Sequence, residues 1–238
     1  MPKPTKLLFN CLVNNGEVGM KKSIISGIVL FFFLPLLSAF ANPPLSYEGR
    51  RLFVSYCQLC HGMDGKGGGA LAKEMEIDTA DLTTTVRSRS DTILKKIITG
   101  EGRQTITGRD RHNILSDAMP SWKGVFNESQ LEALIAYLRF LGNSKHGLMG
   151  DPVKGMVLYK QYCQVCHGEE GDGDGIMTKL MKIEPMDHTN PNEMNRLTNE
   201  DLVESILTGT GRFMPAWEGT LSQTEVEALV SYIRLLSH

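Results

Sequence analysis

Two pentapeptides carry the reactive chemistry of this chain: Cys57-Gln58-Leu59-Cys60-His61 and Cys163-Gln164-Val165-Cys166-His167. Cys-x-x-Cys-His is the attachment pattern of a c-type haem. Two thiols three residues apart share one helical turn, so each can capture a vinyl group of the same macrocycle, while the adjoining imidazole reaches the iron from one face. Two copies imply two covalently bound haem c groups. Cys57 and Cys60 would hold one, Cys163 and Cys166 the other, with His61 and His167 as iron ligands.

Other uses of paired cysteines fit less well. A zinc ribbon sets its pairs roughly 15 to 20 residues apart, whereas 102 residues separate Cys60 from Cys163. A thioredoxin-like dithiol needs a strand-helix-strand surround that the flanking sequence lacks. Disulfides would explain the cysteines but leave the histidine in both copies to chance. Cys11, the fifth and odd cysteine, has no assigned role.

An iron with one histidine leaves its sixth position open. Met119 and Met214 suit it, because each precedes a proline, and proline keeps the residue before it out of the helical region. Each flexible thioether would then sit on extended chain, free to point at the metal. Methionine paired with histidine also raises the reduction potential. The alternative is a plain core methionine, and the chain has 12. For the first iron His112 is a competitor, although beside Arg103, Arg109 and Arg111 it also reads as part of a solvated loop. Such arginines suit haem propionates or an acidic partner equally.

The elements that must position these residues come in two similar sets. Gly49-x-x-x-Phe53-x-x-Tyr56-Cys57 aligns with Gly155-x-x-x-Tyr159-x-x-Tyr162-Cys163 at an offset of 106. Met119-Pro120-Ser121-Trp122 aligns with Met214-Pro215-Ala216-Trp217 at an offset of 95, so the first set carries 11 extra residues before its methionine. The patterning is helical throughout. Asn127-x-x-Gln130 and Ser222-x-x-Glu225 are capping signals, followed by apolar residues at helical spacing: Leu131, Leu134, Ile135 and Leu138, then Val226, Leu229, Val230 and Ile233. Gly142 is expected to stop the first of these helices. Shorter helices are predicted for Asp91 to Thr99 and Asn199 to Thr208, between Ser90 and Gly100 and between Thr198 and Gly209. A helix before each cysteine motif is expected to pack on the last helix of its set, small Gly49 or Gly155 letting the backbones approach.

The glycine-rich loops after the motifs are not calcium or phosphate sites. An EF-hand begun at Glu170 would need a carboxylate where the chain has Met181, and Gly65-Lys66-Gly67-Gly68 lacks the phosphate-loop spacing. Tight turns close to a haem edge are the expected role. Trp122 and Trp217 read equally as haem-packing or as core residues.

With these motifs in place, residues 47 to 236 resemble the class I cytochrome c family, in particular di-haem members similar to the cytochrome c subunits of cbb3-type bacterial terminal oxidases. The resemblance rests on Gly155, Tyr159, Cys163, Cys166, His167, Met214, Pro215, Trp217 and Tyr232. In the first set it rests on Gly49, Phe53, Cys57, Cys60, His61, Met119, Pro120, Trp122 and Tyr137. It implies an all-α chain of two tandem class I cytochrome c domains, each a small helical bundle around a haem, and a function in one-electron transfer without catalysis of its own. The longer segment before Met119 departs from the compact pattern. A cytochrome subunit of a dehydrogenase or oxidase complex, or a haem enzyme such as a peroxidase, is the alternative.

Lys21 and Lys22 precede an apolar run from Ile24 to Leu37 and then Ala39-Phe40-Ala41, the pattern of an export signal. The expected layout is an over-called extension over 1–19, a signal peptide over 20–41, one domain over 42–146 and a second over 147–238. An uncleaved membrane anchor is the rival reading of 20–41, since the run approaches the roughly 20 apolar residues that span a bilayer. Either way the haem domains would face the periplasm. Partners would be a redox-protein donor and acceptor, not nucleic acid, with membrane contact through an anchor or a membrane-bound partner. Charge is uneven: residues 42–146 hold 14 Lys and Arg against 12 Asp and Glu, whereas residues 147–238 hold 7 against 14. The two domains are thus expected to meet different partners, charge steering the encounter.

Overall fold

A computed structural model describes residues 43–101 and 118–238. His112, Arg103, Arg109, Arg111, Cys11 and the expected signal segment lie outside these residues. Twelve α-helices are described: α1 Leu45–Tyr56, α2 Gln58–His61, α3 Ala70–Glu74, α4 Leu82–Thr85, α5 Asp91–Thr99, α6 Glu128–Asn143, α7 Pro152–Tyr162, α8 Gln164–His167, α9 Ile176–Met181, α10 Pro191–Met194, α11 Asn199–Thr208 and α12 Gln223–Leu236. Among the described residues there is no strand, and one isolated bridge joins Thr210 to Met214. The second set of helices, from α7 onward, repeats the plan of the first.

The caps act where the sequence places them. Ser90 accepts from the Ile93 N–H at the start of α5, and Asn127 and Gln130 form a reciprocal capping box on α6. At α12, Glu225 accepts from the Ser222 N–H at 2.9 Å and from its hydroxyl at 2.7 Å. All eight apolar residues expected to face inward on α6 and α12 are buried.

Each long pair of helices meets at a glycine. A Cβ on Gly49 would lie 1.8 Å from the Ala133 carbonyl oxygen of α6, and one on Gly155 would lie 2.0 Å from the Ala228 carbonyl oxygen of α12. No side chain larger than hydrogen fits at either crossing. Gly142 corrects an expectation: α6 runs through it to Asn143 and is capped by Ser144. Gly142 is instead a packing residue, since a Cβ there would come within 2.4 Å of Val86 Cγ2.

A pair of arginines at an offset of 95 ties each last helix to the chain before the preceding long helix. Arg139 donates to the Val86 and Arg89 carbonyls, each at 2.6 Å, and pairs with Asp91. Arg234 donates to the Met194 carbonyl, to the Leu197 carbonyl at 2.7 Å and to Asn199 Oδ1 at 2.9 Å. The second guanidinium is almost wholly buried.

The two halves touch. The fully buried Ser46 hydroxyl of α1 donates to the Leu235 carbonyl of α12, and Tyr47 meets Tyr232 edge to face with ring centroids 6.0 Å apart. Phe140 contacts the His238 ring at 5.5 Å. The connector is pinned as well: Lys145 N–H donates to Asn195 Oδ1 at 2.8 Å, and the N–H groups of Met149 and Gly150 donate to Ser231 Oγ at 2.9 and 2.7 Å.

Candidate functional site

Each cysteine motif forms a single helical turn at the end of a long helix. The chain breaks at Cys57 and Cys163, restarts as α2 and α8, and ends at Gly62 and Gly168, whose φ values of 76° and 83° lie in the left-handed region. The turn is held from behind. Gly67 N–H donates to the His61 carbonyl and Gly173 N–H to the His167 carbonyl, both at 2.9 Å, so the glycine loop folds back beneath the motif. A Cβ at Gly69 or Gly175 would collide with the motif's own backbone, at 2.3 Å from Leu59 O or 2.5 Å from Cys166 O.

Each motif imidazole is aimed by a backbone carbonyl. Nδ1 of His61 faces the Ala80 oxygen at 3.4 Å, and Nδ1 of His167 faces the Met186 oxygen at 3.5 Å. A carbonyl only accepts, so the proton belongs on Nδ1 and the Nε2 lone pair is left for a metal. Burial pushes both imidazoles below their ordinary pKa, favouring the neutral form that ligates. Burial, helped by the neighbouring cysteine, raises the Cys57 and Cys163 thiols to about 12. A redox-active dithiol does the opposite, lowering its nucleophilic thiol. The four cysteines are free of disulfides, and among the described residues no group of three or more His, Cys, Asp and Glu side chains is placed to hold a bare metal ion, as a zinc site requires.

In the first half the expected residues converge. An apolar cleft is lined by Cys57 and His61 from the motif, Met119 and Trp122 from the Met-Pro segment, and side chains including Phe53, Leu94, Ile98 and Leu134. The lining is almost entirely apolar, with Cys57, His61 and Met119 as the residues in it that carry a sulfur or imidazole donor. A planar, apolar macrocycle with an iron centre fits this donor set. Cys60 lies half-buried on the same turn.

The Met-Pro segments are fastened alike. Trp122 N–H donates to the Ile98 carbonyl at 3.0 Å, and Trp217 N–H to the Ile206 carbonyl at 3.1 Å, so each segment hangs from the end of α5 or α11. Met214 is further held by paired backbone bonds with Thr210, at 3.2 and 3.4 Å. Trp122 belongs to the cavity wall and stacks on Phe126 at 5.5 Å; Trp217 packs on Tyr162 at 5.0 Å. The extra residues of the first half fall between α5 and Met119.

His188 was not among the residues singled out by motif. Its ring lies flat on His167, with centroids 4.5 Å apart and planes at 14°. The offset of 106 that relates the two motifs also relates His188 to Leu82, and that repeat was the signal available for finding it. Arg139 and Arg234 were overlooked likewise, at the offset of 95.

The family described as cytochrome c oxidase, cbb3-type, subunit III matches residues 46–138 and 150–233. The cbb3-type cytochrome c oxidase subunit CcoP of Azospirillum sp. is 27% identical over 205 residues, covering 79% of this chain and 61% of that protein. Subunit FixP of Azorhizobium caulinodans is 26% identical over 209 residues, covering 85% and 65%. The chain thus spans less than two thirds of the length of these relatives. Among solved structures, the KustC0563 c-type cytochrome is 28% identical over 35% of this chain and 98% of its own, with a TM-score of 0.32. With the family model covering most of both halves, the chain belongs to the family of cbb3-type cytochrome c oxidase subunit III and is an all-α protein of two tandem cytochrome c domains.

Proposed function

We propose that this chain is a di-haem electron carrier that passes single electrons from a redox-protein donor to a terminal oxidase in the periplasm. Cys57 and Cys60 attach one haem c, with His61 and Met119 as iron ligands. Cys163 and Cys166 attach the other, with His167 and Met214 as ligands. The domains are taken as 42–146 and 147–238. The observation that carries this reading is the convergence of Cys57, His61 and Met119, drawn from separate elements, on one apolar cavity.

A haem c held there supplies a one-electron ferric–ferrous couple. The chain's own residues set how that couple behaves. The paired thiols would fix a haem ring against rotation and loss. The Ala80 and Met186 carbonyls hold each imidazole in the ligating tautomer. Phe53, Leu94 and Leu134 keep water from the first cleft, which disfavours the more highly charged ferric state. Met119 and Met214 would hold the iron opposite the histidines, and sites filled in this way would pass electrons instead of binding a small substrate.

No helix of the described residues is long and apolar enough to cross a membrane. Carbon monoxide added to the reduced protein tests the ligand pairs. The spectrum of both haems should stay unchanged on rapid mixing, and prompt formation of an adduct at either would overturn the assignment. Co-purification of the full chain with haem-copper oxidase subunits tests the partner.

A further inference from the structure

We propose that His188 is a positioning residue for His167, its ring braced flat against the proximal imidazole so that the second haem is held at a lower reduction potential than an aliphatic neighbour would give it. This rests on His167 being an iron ligand.

The two halves supply the comparison. Leu82 and His188 occupy the same backbone position: Leu82 N–H donates to the Gly65 carbonyl and His188 N–H to the Gly171 carbonyl, both at 2.7 Å. Each lies two residues beyond the carbonyl that faces the motif imidazole. A leucine therefore fills this place adequately. His188 is only 6% exposed, and its Nδ1 is buried without a hydrogen-bond partner. An orphaned buried nitrogen is destabilising, so packing alone does not account for it.

What histidine adds is an aromatic face. The ring sits between His167, at 4.5 Å and nearly parallel, and Tyr159, at 6.2 Å and tilted by 63°. A neutral aromatic face carries negative electrostatic potential and attracts positive charge. The ligand imidazole is more positive when its iron is ferric, because it donates more electron density to the higher charge. Stacking thus favours the ferric form and lowers the potential, an outer-shell effect on the ligand. It also limits rotation of the His167 ring. In the first half Leu82 offers no such face to His61.

The test is His188→Leu in the full haem-loaded chain, with His188→Phe beside it. Haem content is measured first: two haems per chain in wild type upholds the underlying reading, and its failure would appear there. Potentiometric titration of His188→Leu should then show the second haem's midpoint raised and the first unchanged, with an altered low-spin electron paramagnetic resonance signal for one haem. His188→Phe, which keeps a stacked ring, should stay near wild type. An unmoved midpoint in His188→Leu, or an equal shift in both variants, would overturn the proposal. Should His188→Leu not retain its haem, Leu82→His should lower the first haem's midpoint, and no shift there would overturn it equally.

Discussion

Met214 and Met119 decide whether each iron is a closed relay or an open site. Met214→Ala should leave the second haem attached, since Cys163 and Cys166 are untouched, while abolishing its methionine-to-iron charge-transfer signal and lowering its potential. Near-infrared magnetic circular dichroism reads this directly, and full retention of the signal would exclude Met214 as ligand. The cysteine-histidine motifs stand out in the sequence because their fixed spacing occurs twice. The methionines were legible because the following proline and tryptophan repeat. His188 was not, because a buried slot beside a ligand accepts leucine or histidine alike, and its meaning emerges only when the ring is seen lying on His167.

At the scale of elements, the helix crossings at Gly49 and Gly155 align each cysteine turn with its last helix. Gly155→Ala forces a methyl group to within 2.0 Å of the Ala228 carbonyl oxygen, and overpacking of this kind costs about 1–3 kcal/mol or more. Guanidinium unfolding of the holoprotein should show a correspondingly lower midpoint. The cap of α12 gives a pH prediction. Hydrogen bonds from the Ser222 N–H and hydroxyl, then from Lys154, pull Glu225 down from 4.5 to about 2. Its folded-state value lies below its unfolded one, so its contribution is fully present above about pH 4.5 and is lost as pH falls toward 2. Glu225→Gln should flatten that part of the stability curve relative to wild type, and parallel curves would contradict the assignment. Helices α5 and α11 matched their expected bounds because hydroxyl caps and closing glycines act locally. Gly142 misled because a glycine late in a helix reads as a stop, while here a tertiary neighbour, Val86, demands it.

At the scale of the whole molecule, two similar domains are joined by buried contacts and carry different charge. Residues 147–238 hold 14 acidic side chains against 7 basic ones. Within them an open hollow is lined by Met149, Val203 and Leu207 together with Glu200, Glu204 and Glu218. Apolar and acidic side chains side by side suit a basic redox partner whose approach is steered by charge. Reversing Glu200 and Glu204 to lysine should slow electron exchange with a basic partner and weaken its dependence on salt in stopped-flow measurements. An unchanged salt slope would remove this face from the encounter. The repeat was visible in sequence as two offsets, but the contact between domains was not, because Ser46 and Tyr47 carry no motif and acquire their partners only through the fold.

The central claim is that two haems are joined covalently to one chain. Intact-mass measurement of the matured protein, before and after extraction with acidified acetone, tests it most directly. The account predicts a mass increased by two haem groups that survives extraction. A mass carrying one haem or none, or pigment that leaves with the solvent, would contradict it.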